Sequence, residues 1–189
     1  MVAFLIYVFV TSITPGPSNL FILTSAKSYG LSGAKKFISG VLAGFLFLAV
    51  ISLVCLFTLE ALIVEIEVFL KVFGFLYLLY LAYKTYTSSK TNTDNEAYSS
   101  FKSGFFIQIL NMKSLLFFVT LLGAFILPIS SMVITTYLYM TITVIIGWSC
   151  LLIWGLLGNY LKEFLNKYDY MFKLVMSLLL FYSALSIFL

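Results

Sequence analysis

The sequence predicts an all-α integral membrane protein. Six transmembrane helices form two inverted three-helix repeats, with the first and fourth helices interrupted. Three observations carry this. Of the 189 residues, 62% are hydrophobic and only 10% are charged. With a mean hydropathy of +1.11, a soluble domain of this size has no interior large enough for its apolar surface. Second, apolar stretches recur, each near the ~20 residues that a bilayer requires. Third, residues 4–50 laid on 101–147 bring a break in one apolar stretch over a break in another.

The first segment, about 2–24, is interrupted at Thr14-Pro15-Gly16-Pro17-Ser18-Asn19. Two prolines two positions apart remove two backbone donors and clash with the preceding turn, and Gly16 adds backbone freedom. Backbone groups freed within a bilayer are tolerated only where protein or a polar cavity satisfies them. Such a break near the midplane is where a transporter holds a polar substrate. A short loop with Lys27, Gly30, Gly33, Lys35 and Lys36 leads to the second segment, about 37–59. An acidic turn with Glu60, Glu65 and Glu67 precedes the third, about 68–86. The polar linker is about 87–103. The fourth segment, about 104–127, contains Asn111-Met112-Lys113 and ends at Pro128. The fifth is about 131–158. A loop with Lys162, Glu163, Lys167 and Asp169 leads to the sixth, from about 171 onward. The chain reads as one transmembrane domain over 1–189: repeat one about 1–86, a cytoplasmic linker, and repeat two about 104–189. The N-terminal stretch lacks a positive n-region and a small-residue cleavage site, so it reads as a retained span.

All eleven basic residues are lysines, and there is no histidine. A histidine proton relay or metal site is excluded, and no metal or cofactor is expected. Lys27, Lys35, Lys36, Lys84, Lys90, Lys102, Lys162, Lys167 and Lys173 follow or flank the odd-numbered segments, whereas only Lys71 lies on the opposite side. The positive-inside rule places the lysine-rich loops in the cytoplasm and both termini outside. Because the lysines sit beside apolar segments, they read as topology signals and not as a nucleic-acid surface.

Laid on one another, Thr14-Pro15-Gly16-Pro17 matches Asn111-Met112-Lys113-Ser114. Three spans per half invert the second half, and a site is expected where the two irregular helices meet. Candidate substrate-binding residues are therefore Pro15, Gly16, Pro17, Ser18, Asn19, Asn111, Lys113 and Ser114. Lys113 lies roughly 13 Å into its segment. An ammonium there costs about 2.5–3.5 kcal/mol on insertion scales. Its side chain either snorkels to the interface or, beside Asn111, meets a substrate carboxylate. Asn111 either caps or bridges a helix or lines the site. Ser18 and Asn19 either satisfy backbone freed by the prolines or line the same cavity. Gly33, Gly40, Gly44 and Gly74 read as helix-packing or gating positions, with Tyr77 beside them. Cys55 and Cys150 lie in separate apolar segments and read as buried small hydrophobes.

These residues resemble the LysE/RhtB family of amino-acid exporters. That family carries a P-G-P in its first span, seen here as Pro15-Gly16-Pro17, and spaced glycines at the second, seen as Gly30, Gly33, Gly40 and Gly44. Gly74, Tyr77 and Leu78 match its third span, and Asn111-Met112-Lys113 with Phe117-Phe118 matches the N-P-K and aromatics of its fourth. Met112 stands where the family has proline, which predicts a milder break in the fourth helix than in the first. Met176 and Ser177 stand where the sixth span usually has a glycine. The resemblance implies secondary-active efflux of amino acids or close derivatives across the bacterial inner membrane. It implies no enzymatic activity, and partners limited to an amino-acid substrate and membrane lipid, with homo-oligomerisation left open. Two other readings compete. A membrane thiol–disulfide electron carrier needs cysteines beside the broken helices. A non-transporting membrane subunit needs neither Asn111 nor Lys113.

Overall fold

The computed structural model describes residues 1–58, 72, 75, 76, 79, 80, 82, 83, 86, 99–129 and 132–185. Gly74, Tyr77, the acidic turn at 60–67, most of the polar linker and the Cys55 side chain lie outside the described residues. All regular structure among the described residues is helical: α1 (Val2–Ile13), α2 (Pro17–Thr58), α3 (Phe101–Ile109), α4 (Met112–Leu121), α5 (Val133–Tyr160), α6 (Lys162–Lys167) and α7 (Asp169–Leu185). A π-helical turn at Leu122–Ile126 and a 3₁₀ turn at Leu127–Ile129 extend α4 to the proline that ends it. Among the described residues, three stretches are long and apolar enough to cross a membrane: Pro17–Val54, Met112–Ile129 and Val133–Tyr160.

The helices leave regular geometry at two places inside apolar sequence. Thr14, at φ −59° and ψ 135°, is extended, as the residue before a proline prefers. Pro15 and Gly16 follow, and Pro17 takes the first position of α2, where its missing N–H has no intrahelical acceptor to lose. The second break is Leu110–Asn111, with Asn111 at φ −75° and ψ 100°. It is one residue shorter than the first. No proline is needed there, because the Asn111 side chain accepts from the Lys113 N–H at 3.1 Å and caps α4.

A third irregularity corrects a boundary. The loop expected around Lys27–Lys36 is a single residue: Gly30, at φ 69° and ψ 172°, turns the chain inside α2. That backbone region is open essentially to glycine alone. Asn159 Oδ1 accepts the Leu31 N–H at 3.1 Å across this corner. Lys35 and Lys36 therefore sit on a helix, as do the lysines of the expected 162–169 loop, which forms α6 and the start of α7. α1 and the first arm of α2, 17–29, hold about 37 Å of helix between them at 1.5 Å per residue.

The packing is that of a protein in lipid. α5 turns Thr136, Thr143, Gly147, Gly155 and Gly158 inward. It turns Ile134, Leu138, Ile145, Leu152 and Leu156 outward. Small residues inside let backbones approach, and large apolar ones outside meet acyl chains at no loss. A Cβ at Gly158 would run into the Leu23 carbonyl, and one at Gly155 would lie 3.2 Å from Ile22. The second arm of α2 meets α3 backbone to backbone: Gly40 abuts the Phe101 carbonyl, and Gly104 abuts that of Phe37. α1 seats Phe4 against Tyr139 and Phe125, and stacks Tyr7 on Phe117 at 5.6 Å.

Candidate functional site

The end of α1 leaves carbonyls without intrahelical donors. Side chains from three other elements supply them. Asn19 Nδ2 donates to the Ser12 and Thr14 carbonyls at 3.0 and 2.9 Å. Trp154 Nε1, from α5, donates to Ile13 at 3.1 Å. Lys113 Nζ, from α4, donates to the Thr14 carbonyl at 2.6 Å. A cation at a helix C-terminus also meets the negative end of the helix dipole. Gly16 makes room for the lysine, since a Cβ there would fall 2.6 Å from Lys113 Cδ.

A neutral network joins the two breaks beside this contact. Ser18 Oγ donates to Gln108 Oε1 in a short hydrogen bond. Asn111 Nδ2 donates to Ser18 Oγ at 2.7 Å, and Gln108 Nε2 donates to Ser114 Oγ at 2.9 Å. Ser18, Asn19, Gln108 and Asn111 are all buried. Among the described residues, no buried side-chain nitrogen or oxygen lacks a partner. A cavity of about 30 Å³ opens among these groups, with Phe45, Phe117, Gly147 and Leu151 as its apolar wall. That is about the share of one water in the liquid. An amino acid requires side chains to move.

Of the sequence-derived candidates, the structure brings Gly16, Ser18, Asn19, Asn111, Lys113 and Ser114 to this cavity. Pro15 and Pro17 shape the break beside it. Gly40 and Gly44 lie on the α2–α3 contact, where a Cβ at Gly44 would come 2.8 Å from Gln108 Cβ. Gly33 is exposed near the Gly30 corner, and its nearest neighbour is Tyr29. Sequence reasoning missed Gln108 and Trp154. The signal for Gln108 was present: an amide within an apolar membrane segment is costly unless it has a partner. Trp154 carried no such mark.

A family model described as LysE type translocator matches residues 9–189. The chain belongs to the LysE type translocator family. Curated relatives named "Cysteine/O-acetylserine efflux protein" come from Escherichia coli O139:H28 (strain E24377A / ETEC), Escherichia coli K12 and Shigella flexneri. Each is 30% identical over 187 residues, covering 98% of this chain and 96% of the relative. No solved structure matches the chain. Membership places this translocator among transport proteins and does not favour the electron-carrier reading. Its Cys150 is a free, buried thiol in α5.

Proposed function

We propose that this translocator exports small amino acids with uncharged side chains, or their acyl derivatives, across the bacterial inner membrane by secondary-active transport. The relatives' cysteine and O-acetylserine are the model substrates. The observation that carries the reading is the cavity at the two helix breaks, polar and lined by a single cation within an otherwise apolar bundle. Lys113 supplies the charge for a carboxylate. Gln108, Ser18, Asn111 and Ser114 supply neutral donors and acceptors, which suit a hydroxyl, thiol or ester and offer no counter-charge to a lysine or glutamate side chain.

Two further proposals belong to this reading. The chain forms six spans in two inverted repeats. In support, positions paired by the internal alignment touch in space: Gly16 lies under its counterpart Lys113, whose Nζ bonds the carbonyl of Thr14, the counterpart of Asn111. Elements related by a two-fold axis meet in this self-complementary way. The lysine-rich end faces the cytoplasm. In support, Lys27 and Lys173 converge on Asp169 beside the Gly30 corner.

The test is efflux of labelled cysteine, O-acetylserine, lysine and glutamate from cells at matched membrane levels of the protein. The first two are expected to leave faster than in cells lacking the protein, and the charged pair are not. Absence of cysteine and O-acetylserine export would overturn the reading. Lys113→Met removes a charge-assisted contact of about 1.5–3 kcal/mol. Apparent affinity should then weaken roughly tenfold or more. Unchanged affinity would remove Lys113 from the site.

A further inference from the structure

Lys113 has an unusual position for a carboxylate receptor: its ammonium is already bound. It rests 2.6 Å from the Thr14 carbonyl, and its stem lies over Gly16. Among the described residues it has no carboxylate in ion-pair range. The carbonyls of Ser12 and Ile13 receive only neutral donors, from Asn19 and Trp154, and Thr14 shares the Asn19 amide as well. Only Thr14 holds a cation. We infer that the Thr14 carbonyl is the subsite for a substrate α-ammonium, occupied here by the Lys113 ammonium as a tethered stand-in.

This rests on the exporter reading above and adds an exchange to it. A primary ammonium and the lysine ammonium are the same donor group, so each fits the same carbonyl and helix C-terminus. An incoming zwitterion places its ammonium on Thr14 and frees Lys113. The freed ammonium then meets the substrate carboxylate. Each ammonium has an oxygen acceptor before and after, and the substrate carboxylate has a cation, which a low-dielectric site favours. Moving the lysine stem off Gly16 also enlarges a cavity that is too small for an amino acid as it stands. An amine without a carboxylate cannot perform this exchange, because it would take the Thr14 carbonyl from Lys113, offer no acceptor in return and bury a second cation beside it. A carboxylate without an ammonium gives Thr14 no replacement cation. The site thus demands both groups at once.

The test is calorimetric binding to the full-length protein in nanodiscs under reducing conditions. The probes are cysteine, cysteamine (no carboxylate) and 3-mercaptopropionate (no ammonium). With the wild-type protein, cysteine should bind, and the other two should each bind at least tenfold more weakly. In Lys113→Met the Thr14 carbonyl loses its cation and keeps the neutral Asn19 donor. Cysteamine should then bind at least tenfold more tightly than to wild type, while cysteine weakens. In Lys113→Arg a tethered cation remains, and cysteamine should stay excluded. The inference is overturned if cysteamine binds folded Lys113→Met no better than wild type, or if cysteamine rivals cysteine on wild type. Should the Met variant fail to fold, the wild-type comparison decides. If cysteine does not bind wild type, the substrate reading fails, and the cysteamine arm still decides the ammonium subsite.

Discussion

Gln108 shows how far a single residue could be read from the sequence. It stands in an apolar run and matches no motif. The structure makes it the bridge between Ser18 of one break and Ser114 of the other. What links them is a contact between distant segments, which no local pattern encodes. Asn111 and Lys113 were legible because each is expensive in a membrane. Their roles were not, because capping and ligand binding use the same atoms. Asn111 does cap α4, and the same side chain reaches Ser18. Magnitudes separate a packing role from a site role for Gln108. Interhelical hydrogen bonds within membranes average about 0.6 kcal/mol. Gln108→Leu should therefore shift stability by about 1 kcal/mol or less. Export should fall by roughly tenfold or more, since the loss of two contacts at the site is felt at ~1.4 kcal/mol per tenfold. Efflux and detergent unfolding of the same preparation check this. A loss of export that only follows a loss of folded protein would make Gln108 structural.

Among the elements, the two breaks were the most legible features, and they arise in different ways. Pro15 and Pro17 force the first. The second has a cap and no proline, since the first residue of a helix has no intrahelical acceptor for its N–H. Met112→Pro should accordingly be tolerated, with unfolding free energy changed by about 1 kcal/mol or less and export retained. Collapse of the variant would show that Met112 packing, not the cap, sets the break. The Gly30 corner was less legible. Polar residues around it suggested a loop, but lysines on a helix end look the same in sequence as lysines in a turn. Its dihedrals supply the prediction: Gly30→Ala should destabilise by about 1–3 kcal/mol, read as a lowered unfolding midpoint. A midpoint within error of wild type would mean that the chain turns there in another way.

At the scale of the whole molecule, two different closures lie on either side of the site. Toward the α1 end the closure is aromatic, with Tyr7 against Phe117 and Phe125. Toward the lysine-rich end it is ionic. Asp169 pairs with Lys27 at 2.7 Å and Lys173 at 3.0 Å, and Lys27 lies 4.1 Å from the Phe172 ring centre. This tie joins the first arm of α2 to α7, distant in sequence. Burial pushes the Asp169 carboxyl up, but the hydrogen bonds and charges of the two lysines outweigh it and hold the group below its ordinary 3.8. A carboxylate with a depressed folded-state pKa stabilises above its unfolded value, and that contribution is lost as pH falls through the folded one. The tie is thus complete at neutral pH. Stability should be flat from pH 7 to about 5 and decline below about 4. Asp169→Asn should lower stability at pH 7 and reduce that acid step. An acid step of the same size in the variant would place it elsewhere.

The same end bears on the proposed orientation. Lys27, Lys162, Lys167 and Lys173 lie around the Gly30 corner and the α6–α7 turn. The α2–α3 contact sets the start of α3, with Lys102, beside the second arm of α2. Lysines remote in sequence therefore gather at one end of the bundle, as positive-inside sorting requires. A reporter fused after Lys167 should report the cytoplasm. One fused to the C-terminus, beyond α7, should report the exterior, because the proposed topology puts one further span between the two points. Cytoplasmic signals from both would remove the crossing by α7. With it would go the odd number of spans per half on which the inverted repeat depends.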